Sequence, residues 1–143
     1  DLRMYYDTYK PILLKVSPDL AHQQLDEIID YCLRSGIDGI VAGNTTRSRE
    51  GITSISKEKI EAIGNGGMSG APLHKKNLEL VKYVHTRSEG KLPIIGVGGI
   101  MTPGQAKAML DAGASLVEIY TGFVYEGPAL IKNIIKYLET AGK

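Results

Sequence analysis

The sequence predicts an α/β fold in which parallel strands are covered by outer helices. Short, almost continuous apolar runs alternate four times with segments that carry apolar residues at helical spacing. Strands buried on both faces have this continuous pattern, and helices packed outside a parallel sheet provide that burial. With 43% hydrophobic and 23% charged residues, the 143-residue chain has the composition of one packed domain.

The first unit pairs a strand at Ile12–Val16 with a helix from Leu20 to about Ser35. The helix carries a one-sided apolar stripe and ends at Gly36, a residue that commonly closes helices in the left-handed conformation. Asp19 stands just before the helix, and acidic or hydroxyl side chains at that place often cap the first turn. We therefore expect Asp19 to cap this helix.

Three further units complete the pattern, with one helix predicted after each strand. The strands are expected at Gly39–Asn44, Pro93–Gly98 and Leu116–Thr121, and the helices at about Leu73–Arg87, Pro103–Ala112 and Pro128–Leu138. Four βα units are half of an eight-fold barrel. The alternative, an open doubly wound sheet, usually has a glycine fingerprint in its first βα turn, where this chain has none. We predict that residues 1–143 form a single partial domain, half of a TIM (β/α)₈ barrel.

Glycine-rich loops follow the third and fourth strands, at Gly96-Val97-Gly98-Gly99 and Tyr120-Thr121-Gly122. In barrels of this kind, the loops after the last two strands commonly hold a phosphate through backbone N–H groups. This pattern indicates the C-terminal half of the barrel. The alternative is that these glycines only form tight turns.

The connection from Asn44 to Pro72 is longer than a usual βα loop, so we expect it to be functional or to contain small elements of its own. It includes the glycine-dense segment Gly64–Gly70, whose backbone amides could approach an anion or a flat ring closely.

Two polar groups stand at strand ends, where a barrel carries its active site. Lys15 ends an apolar strand, and because burying an unpaired ammonium is costly, we expect either an anionic ligand or a carboxylate from a neighbouring strand beside it. Asn44-Thr45-Thr46 offers an amide and two hydroxyls, which can recognise the oxygens of a small substrate or simply form a turn.

Composition argues against several other functions. The net charge is +1 and the basic residues are scattered, so we expect no nucleic-acid partner. A single cysteine, Cys32, and three separated histidines give no pattern typical of a metal site. The sequence has neither a membrane-length apolar run nor the apolar core of a signal peptide, which favours a cytoplasmic chain. Because it begins with Asp rather than Met, we expect a piece of a longer protein.

The chain resembles the C-terminal half of dihydroorotate dehydrogenases, most closely those of the quinone-linked class 2. The resemblance covers nearly the whole chain and rests on motifs that occur in the family's order: Leu13-Leu14-Lys15-Val16-Ser17-Pro18-Asp19, Ile37-Asp38-Gly39, Asn44-Thr45-Thr46, Gly66-Gly67-Met68-Ser69-Gly70, Gly96-Val97-Gly98-Gly99-Ile100, Ala112-Gly113-Ala114-Ser115 and Tyr120-Thr121.

The resemblance implies an enzyme of de novo pyrimidine biosynthesis that oxidises dihydroorotate to orotate, with FMN as hydride acceptor and a quinone as final electron acceptor. The complete enzyme could then lie peripherally on the inner membrane. Asn44 and Thr45 would bind orotate, and Lys15 would lie beside the pyrimidine edge of the flavin. The remaining cofactor-binding positions implied by the resemblance, chiefly for the phosphate tail, are Ser69, Gly70, Gly98, Gly99, Tyr120 and Thr121.

The chain departs from the family pattern at two points. The family usually has threonine before the Asn-Thr motif, and this chain has Gly43, so a backbone contact can persist while a hydroxyl contact to the flavin is lost. The family's catalytic base lies on a loop of the N-terminal half, and its asparagine-rich motif is absent here. We therefore assign no catalytic residue in this chain and expect it to be inactive without the missing half.

Two alternatives remain open at the level of sequence. One is a stand-alone half-barrel that binds a phosphate ester or flavin without turnover. The other is a different phosphate-binding barrel, similar to inosine monophosphate dehydrogenase or glycolate oxidase, although no catalytic cysteine loop or histidine–arginine pair is evident near the strand ends. In either case an isolated half-barrel has unpaired strand edges and an apolar inner face, so we expect self-association.

Overall fold

Four strands form one parallel sheet in the computed structural model, which describes residues 8–50, 52 and 55–141. The strands are β1 (Leu13–Val16), β2 (Gly39–Ala42), β3 (Ile94–Val97) and β4 (Leu116–Glu118), and each pairs with the next in the order β1-β2-β3-β4. This unreversed order is that of a barrel wall, whereas a doubly wound sheet reverses direction at a switch point. The predicted parallel sheet with outer helices is confirmed.

The described helices outnumber the strands, so the prediction of one helix after each strand is wrong. They are α1 (His22–Ser35), α2 (Lys57–Ile63), α3 (His74–Arg87), α4 (Pro103–Asp111), α5 (Thr121–Glu126) and α6 (Pro128–Thr140), and a 3₁₀ turn at Ala71–Leu73 precedes α3. Helix α2 lies within the long connection after β2, which confirms that this connection contains an element of its own. Helix α5 is an extra helix between β4 and α6.

Strand boundaries also differ from those predicted. Strand β4 does not continue to Thr121 because the backbone of Tyr120 turns away from the extended conformation, with φ −122° and ψ −77°. Strand β3 ends before Gly98, whose φ of +106° is in the region that favours glycine. Strand β2 ends at Ala42 rather than Asn44, and β1 begins at Leu13 rather than Ile12. Apolar continuity marks burial, and it cannot locate these changes of dihedral angle.

Helix α1 confirms the predicted stripe and its end. Leu25, Ile29 and Cys32 are buried, and Gly36 closes the helix with φ 71° and ψ 30°. The prediction that Asp19 caps this helix is wrong. Ala21 is the N-cap residue instead, and its N–H donates to Gln24 Oε1 at 3.0 Å.

The core lies between the sheet and the helices, and only one face of the sheet is covered. Ile40 and Ile94 are fully buried on the covered face. On the opposite face Lys15 is exposed and Leu116 is 62% exposed. The expectation that these strands are buried on both faces is therefore wrong for this chain, because none of its described elements lies opposite that inner face.

Asp19 organises the start of the connection after β2 rather than a helix end. Its Oδ1 accepts from Thr46 Oγ1 at 2.6 Å and pairs with Lys76 Nζ at 2.5 Å, and its Oδ2 accepts from the Arg47 N–H at 2.7 Å. Burial alone would raise the pKa of Asp19, but the hydrogen bonds from Lys76, Thr46 and Arg47 outweigh it and lower the pKa to about 2. This carboxylate therefore ties β1, the β2 connection and α3 together.

None of the helices among the described residues is both long enough and apolar enough to cross a membrane.

The Asp19 network predicts a pH-dependent contribution to stability. Because the folded pKa lies below the ordinary value of 3.8, the contribution is present above that value and is lost as the pH falls towards about 2. We expect Asp19→Asn to lower the free energy of unfolding at pH 7 by about 1 kcal/mol after solvent screening. Urea denaturation of both proteins between neutral and acid pH should show this difference shrinking below about pH 4.

Asp111→Asn is the matched control. Asp111 pairs with Lys107 one turn away on the surface of α4, and such exposed pairs contribute about 0.3–0.5 kcal/mol. A difference between Asp19→Asn and the parent that stays constant across this pH range would contradict the network's role.

Candidate functional site

A cleft of about 230 Å³ opens at the carboxyl ends of the strands. This is the end at which parallel barrels carry their active sites. The cleft collects all ten residues that the sequence marked as candidates, from the ends of β1 and β2 and from three loops: Lys15, Gly43, Asn44, Thr45, Ser69, Gly70, Gly98, Gly99, Tyr120 and Thr121. Their assembly is a finding of the structure, and their roles as ligands remain predictions.

The three loops contact one another directly. Thr121 Oγ1 donates to Ser69 Oγ at 3.3 Å, and a Cβ built on Gly70 would lie 3.2 Å from Thr121 Cγ2. A Cβ on Gly122 would lie 2.2 Å from the carbonyl oxygen of Ile100. The loop before α3, the loop after β3 and the start of α5 therefore form one continuous wall of the cleft.

Glycine is required where this wall meets α3. Gly99 has φ +75°, and a Cβ there would lie 2.2 Å from the backbone nitrogen of His74. Gly70 also has a positive φ, of 84°. Within the described chain, no hydrogen bond uses the N–H groups of Gly70, Gly99 or Thr121, although each residue lines the cleft. Such N–H groups are suited to bind an anion.

Lys15 is the cation that lines the cleft, and its environment differs from the one expected. Its side chain is exposed, and the described residues form no ion pair with it. The argument from the cost of burial is therefore wrong for this chain, because the inner face of β1 is uncovered. His74, behind Gly99, adds no second cation, because burial lowers its pKa below the ordinary 6.5.

Asn44 and Thr45 are exposed at the end of β2. Asn44 Oδ1 accepts from the Thr45 N–H at 2.8 Å, which leaves the Asn44 side-chain NH₂ as a donor towards the cleft. A Cβ on Gly67 would lie 2.1 Å from Thr45 Oγ1, so Gly67 makes room for this hydroxyl. The pair can donate to the oxygens of a small anion or carbonyl compound.

Five further residues line the cleft without having been assigned a role from the sequence, namely Leu73, Val97, Ile100, Glu118 and Gly122. Val97, Ile100 and Gly122 belong to motifs that the sequence analysis named, whereas Leu73 and Glu118 were missed. Glu118 could have been found from the alternation of β4, in which side chains point in turn to opposite faces. Leu116, Glu118 and Tyr120 are exposed, whereas Val117 and Ile119 pack against the core. The period of two therefore places Glu118 on the face that bears Tyr120.

Comparison with known proteins gives a consistent result. The family described as dihydroorotate dehydrogenase matches residues 4–141. A protein of Salinispora arenicola named dihydroorotate dehydrogenase (quinone) is 48% identical over 123 residues, which cover 86% of this chain and 36% of that protein. One of the same name from Christiangramia forsetii is 51% identical over 125 residues, which cover 87% and 35%. The chain thus spans little more than a third of the length of these relatives.

Solved structures agree with this result. A ligand-free DHODH from Eimeria tenella superposes with a TM-score of 0.82 at 33% identity, and the match covers 94% of this chain and 37% of the other. A DHODH of the same organism in complex with ferulenol also gives 0.82, at 30% identity. The fold of this chain therefore corresponds to part of a larger barrel.

The close approach at Gly99 predicts a severe effect of a single methyl group. We expect Gly99→Ala to lower the free energy of unfolding by about 2 kcal/mol or more, because the new Cβ meets backbone and the positive φ disfavours alanine. Thermal or urea denaturation measures the change.

Gly104→Ala provides the control. Gly104 lies in the first turn of α4, and a Cβ there meets nothing within 4 Å, so alanine should raise stability by about 0.5–1 kcal/mol. If the two substitutions change the free energy of unfolding equally, the close approach of backbone at Gly99 does not require glycine.

Proposed function

Because the chain belongs to the dihydroorotate dehydrogenase family, we propose that it supplies the flavin-phosphate site and part of the orotate site of an FMN-dependent enzyme. The complete enzyme would oxidise dihydroorotate to orotate in de novo pyrimidine biosynthesis. The observation that carries this proposal is the convergence of three glycine loops, a lysine and an asparagine–threonine pair in one cleft.

The phosphate of FMN would be held by the wall of the cleft. Gly70, Gly99 and Thr121 have backbone N–H groups without another acceptor in the described chain, and the first two carry no side chain to block an approaching anion. The hydroxyls of Ser69 and Thr121 provide further donors. Backbone approach of this kind fits a phosphate ester better than a neutral ligand.

Lys15 would lie against the flavin ring, away from the wall of the cleft that would hold the phosphate. When bound, FMN supplies a hydride acceptor, and a fixed positive charge beside the ring favours its reduction. The unscreened attraction is about 4 kcal/mol for unit charges 4 Å apart at an effective dielectric constant near 20. The exposed position of Lys15 in this chain means that the rest of the barrel must exclude water before that interaction reaches its full strength.

Asn44 and Thr45 would orient the substrate. The free NH₂ group of Asn44 can donate to a carboxylate or ring carbonyl, and Thr45 adds a hydroxyl beside it. Neither is a suitable base for removing a carbon-bound proton, since an amide and an unassisted hydroxyl are both very weak bases. We propose that the base comes from the upstream half of the complete protein, so that this chain is inactive alone.

We also propose that the upstream half completes the barrel domain. The same half would select the oxidant that accepts electrons from the reduced flavin. The relatives that match this chain are named as quinone enzymes. We propose a quinone as the electron acceptor of the complete enzyme. A lipid-dissolved acceptor would place a cytoplasmic enzyme peripherally on the inner membrane.

Lys15→Ala tests the flavin assignment. We expect it to weaken FMN binding about tenfold, which corresponds to about 1.4 kcal/mol, and to lower the reduction potential of bound flavin by about 30–60 mV. Fluorescence quenching measures the affinity, and equilibration with a redox dye measures the potential.

Lys132→Ala is the matched control, because Lys132 is an exposed lysine on α6 and does not line the cleft. If both substitutions leave FMN affinity and potential unchanged, Lys15 does not contact the flavin. If the parent chain completed with an upstream half binds no FMN, the proposed function is wrong.

The uncovered inner face predicts self-association of the chain by itself. Leu116 and Tyr120 are exposed on that face, and parallel pairing ends at β1 and β4 among the described residues. We expect light scattering to give a mass of at least twice 15.5 kDa at micromolar concentration. Leu116→Lys should reduce that mass, whereas Leu33→Lys on α1 should not, and a monodisperse monomer would contradict this prediction.

A further inference from the structure

Asn77 is a buried polar residue that does not line the cleft and has no role in the function proposed above. It lies on α3 with 0% of its surface exposed, and its Nδ2 donates to the carbonyl oxygen of Val97 at 2.9 Å. Its Oδ1 has no hydrogen-bond partner among the described residues. A buried amide that is only half satisfied is costly, by about 1–3 kcal/mol for the missing bond, so its presence requires a compensating reason.

Two glycines that line the cleft enclose this amide. A Cβ built on Gly43 would lie 2.6 Å from Asn77 Oδ1, and a Cβ built on Gly98 would lie 2.1 Å from Asn77 Nδ2. Both distances are shorter than real Cβ contacts. The side chain of Asn77 therefore fits only because positions 43 and 98 are glycine, and it packs behind the backbone of both.

The Cβ built on Gly43 shows where a side chain at this position would point. The built Cβ of Gly43 points towards Asn77 and Leu80, which lie on α3 and do not line the cleft. A side chain at this position would thus enter the interface between sheet and helix. The threonine usual in the family would here be directed at α3, so its replacement by Gly43 does not remove a direct hydroxyl contact to the flavin.

We propose that Asn77 is a positioning residue for the cleft, which occupies the space of the side chain missing at Gly43 and holds the Gly98–Gly99 loop through Val97. Gly43 and Asn77 form a matched pair. Glycine at position 43 leaves room for the Asn77 amide, and the amide holds the end of β3, where the Gly98–Gly99 loop begins. The proposal concerns how the loop is held, and it rests on the proposed function only in that FMN is the ligand used to measure its effect.

The test is a double-substitution cycle on the full chain, completed with an upstream half. Asn77→Ala removes the bond to Val97, and Gly43→Ala places a methyl group against the amide. In the double variant the methyl group can enter the space that the amide leaves. Amide hydrogen exchange at Gly98 and Gly99 is measured without ligand, and FMN affinity by fluorescence quenching. Asn133→Ala, an exposed asparagine on α6, is the control.

We expect Asn77→Ala and Gly43→Ala each to speed exchange at Gly98 and Gly99 and to weaken FMN binding, by about tenfold each. The double variant should be impaired much less than the product of the two effects. Asn133→Ala should match the parent. This pattern, with exchange elsewhere in the core unchanged, separates positioning of the loop from general loss of stability.

Unchanged exchange at Gly98 and Gly99 in Asn77→Ala, or effects of the two substitutions that simply multiply, would overturn the proposal. If Asn77→Ala fails to fold, the double variant decides: recovery of folding and of FMN binding supports the matched pair, and failure overturns it. If the parent binds no FMN, the proposed function fails, while the exchange rates still decide whether Asn77 holds the loop.

Discussion

The close approach of the Gly98–Gly99 backbone to the start of α3 is the constraint on which the rest of the structure depends. Only residues without a side chain allow this backbone to lie against His74 and Asn77. The approach brings the loop after β3 next to Ser69 and Gly70, and the start of α5 then closes against both. In the resulting wall the N–H groups of Gly70, Gly99 and Thr121 have no acceptor within the described chain, and such groups are suited to bind an anion.

The two faces of the sheet are buried to different extents. This difference explains how a chain that we expect to be inactive alone can still form the wall of the cleft. The outer face is packed by helices, with Ile40 and Ile94 fully buried, whereas Leu116 and Lys15 on the inner face are exposed. The wall of the cleft depends on contacts within this chain. Lys15 lies on the face that no described element covers, so water screens its charge in this chain.

The sequence was sufficient for features that depend on periodicity or on the absence of side chains. Continuous apolar runs predicted the sheet, and glycine clusters located the loops of the cleft. Features that depend on long-range geometry were not predictable. The partners of Asp19 are 27 or more residues away, the turn at Tyr120 is a change of backbone dihedral angle, and the fit of Asn77 depends on two glycines brought together by folding. Lys15 is exposed because no described element lies opposite the inner face of β1, and no local sequence pattern indicates this.

The most direct test of the central claim is an NMR titration of the ¹⁵N-labelled chain, completed with an unlabelled upstream half, with FMN. If the three loops form one phosphate-binding wall, the backbone amides of Gly70, Gly99 and Thr121 should shift together, with a single affinity. Riboflavin, which lacks the phosphate, should leave those amides nearly unmoved. Perturbations confined to other surfaces, or equal shifts with riboflavin, would contradict the account.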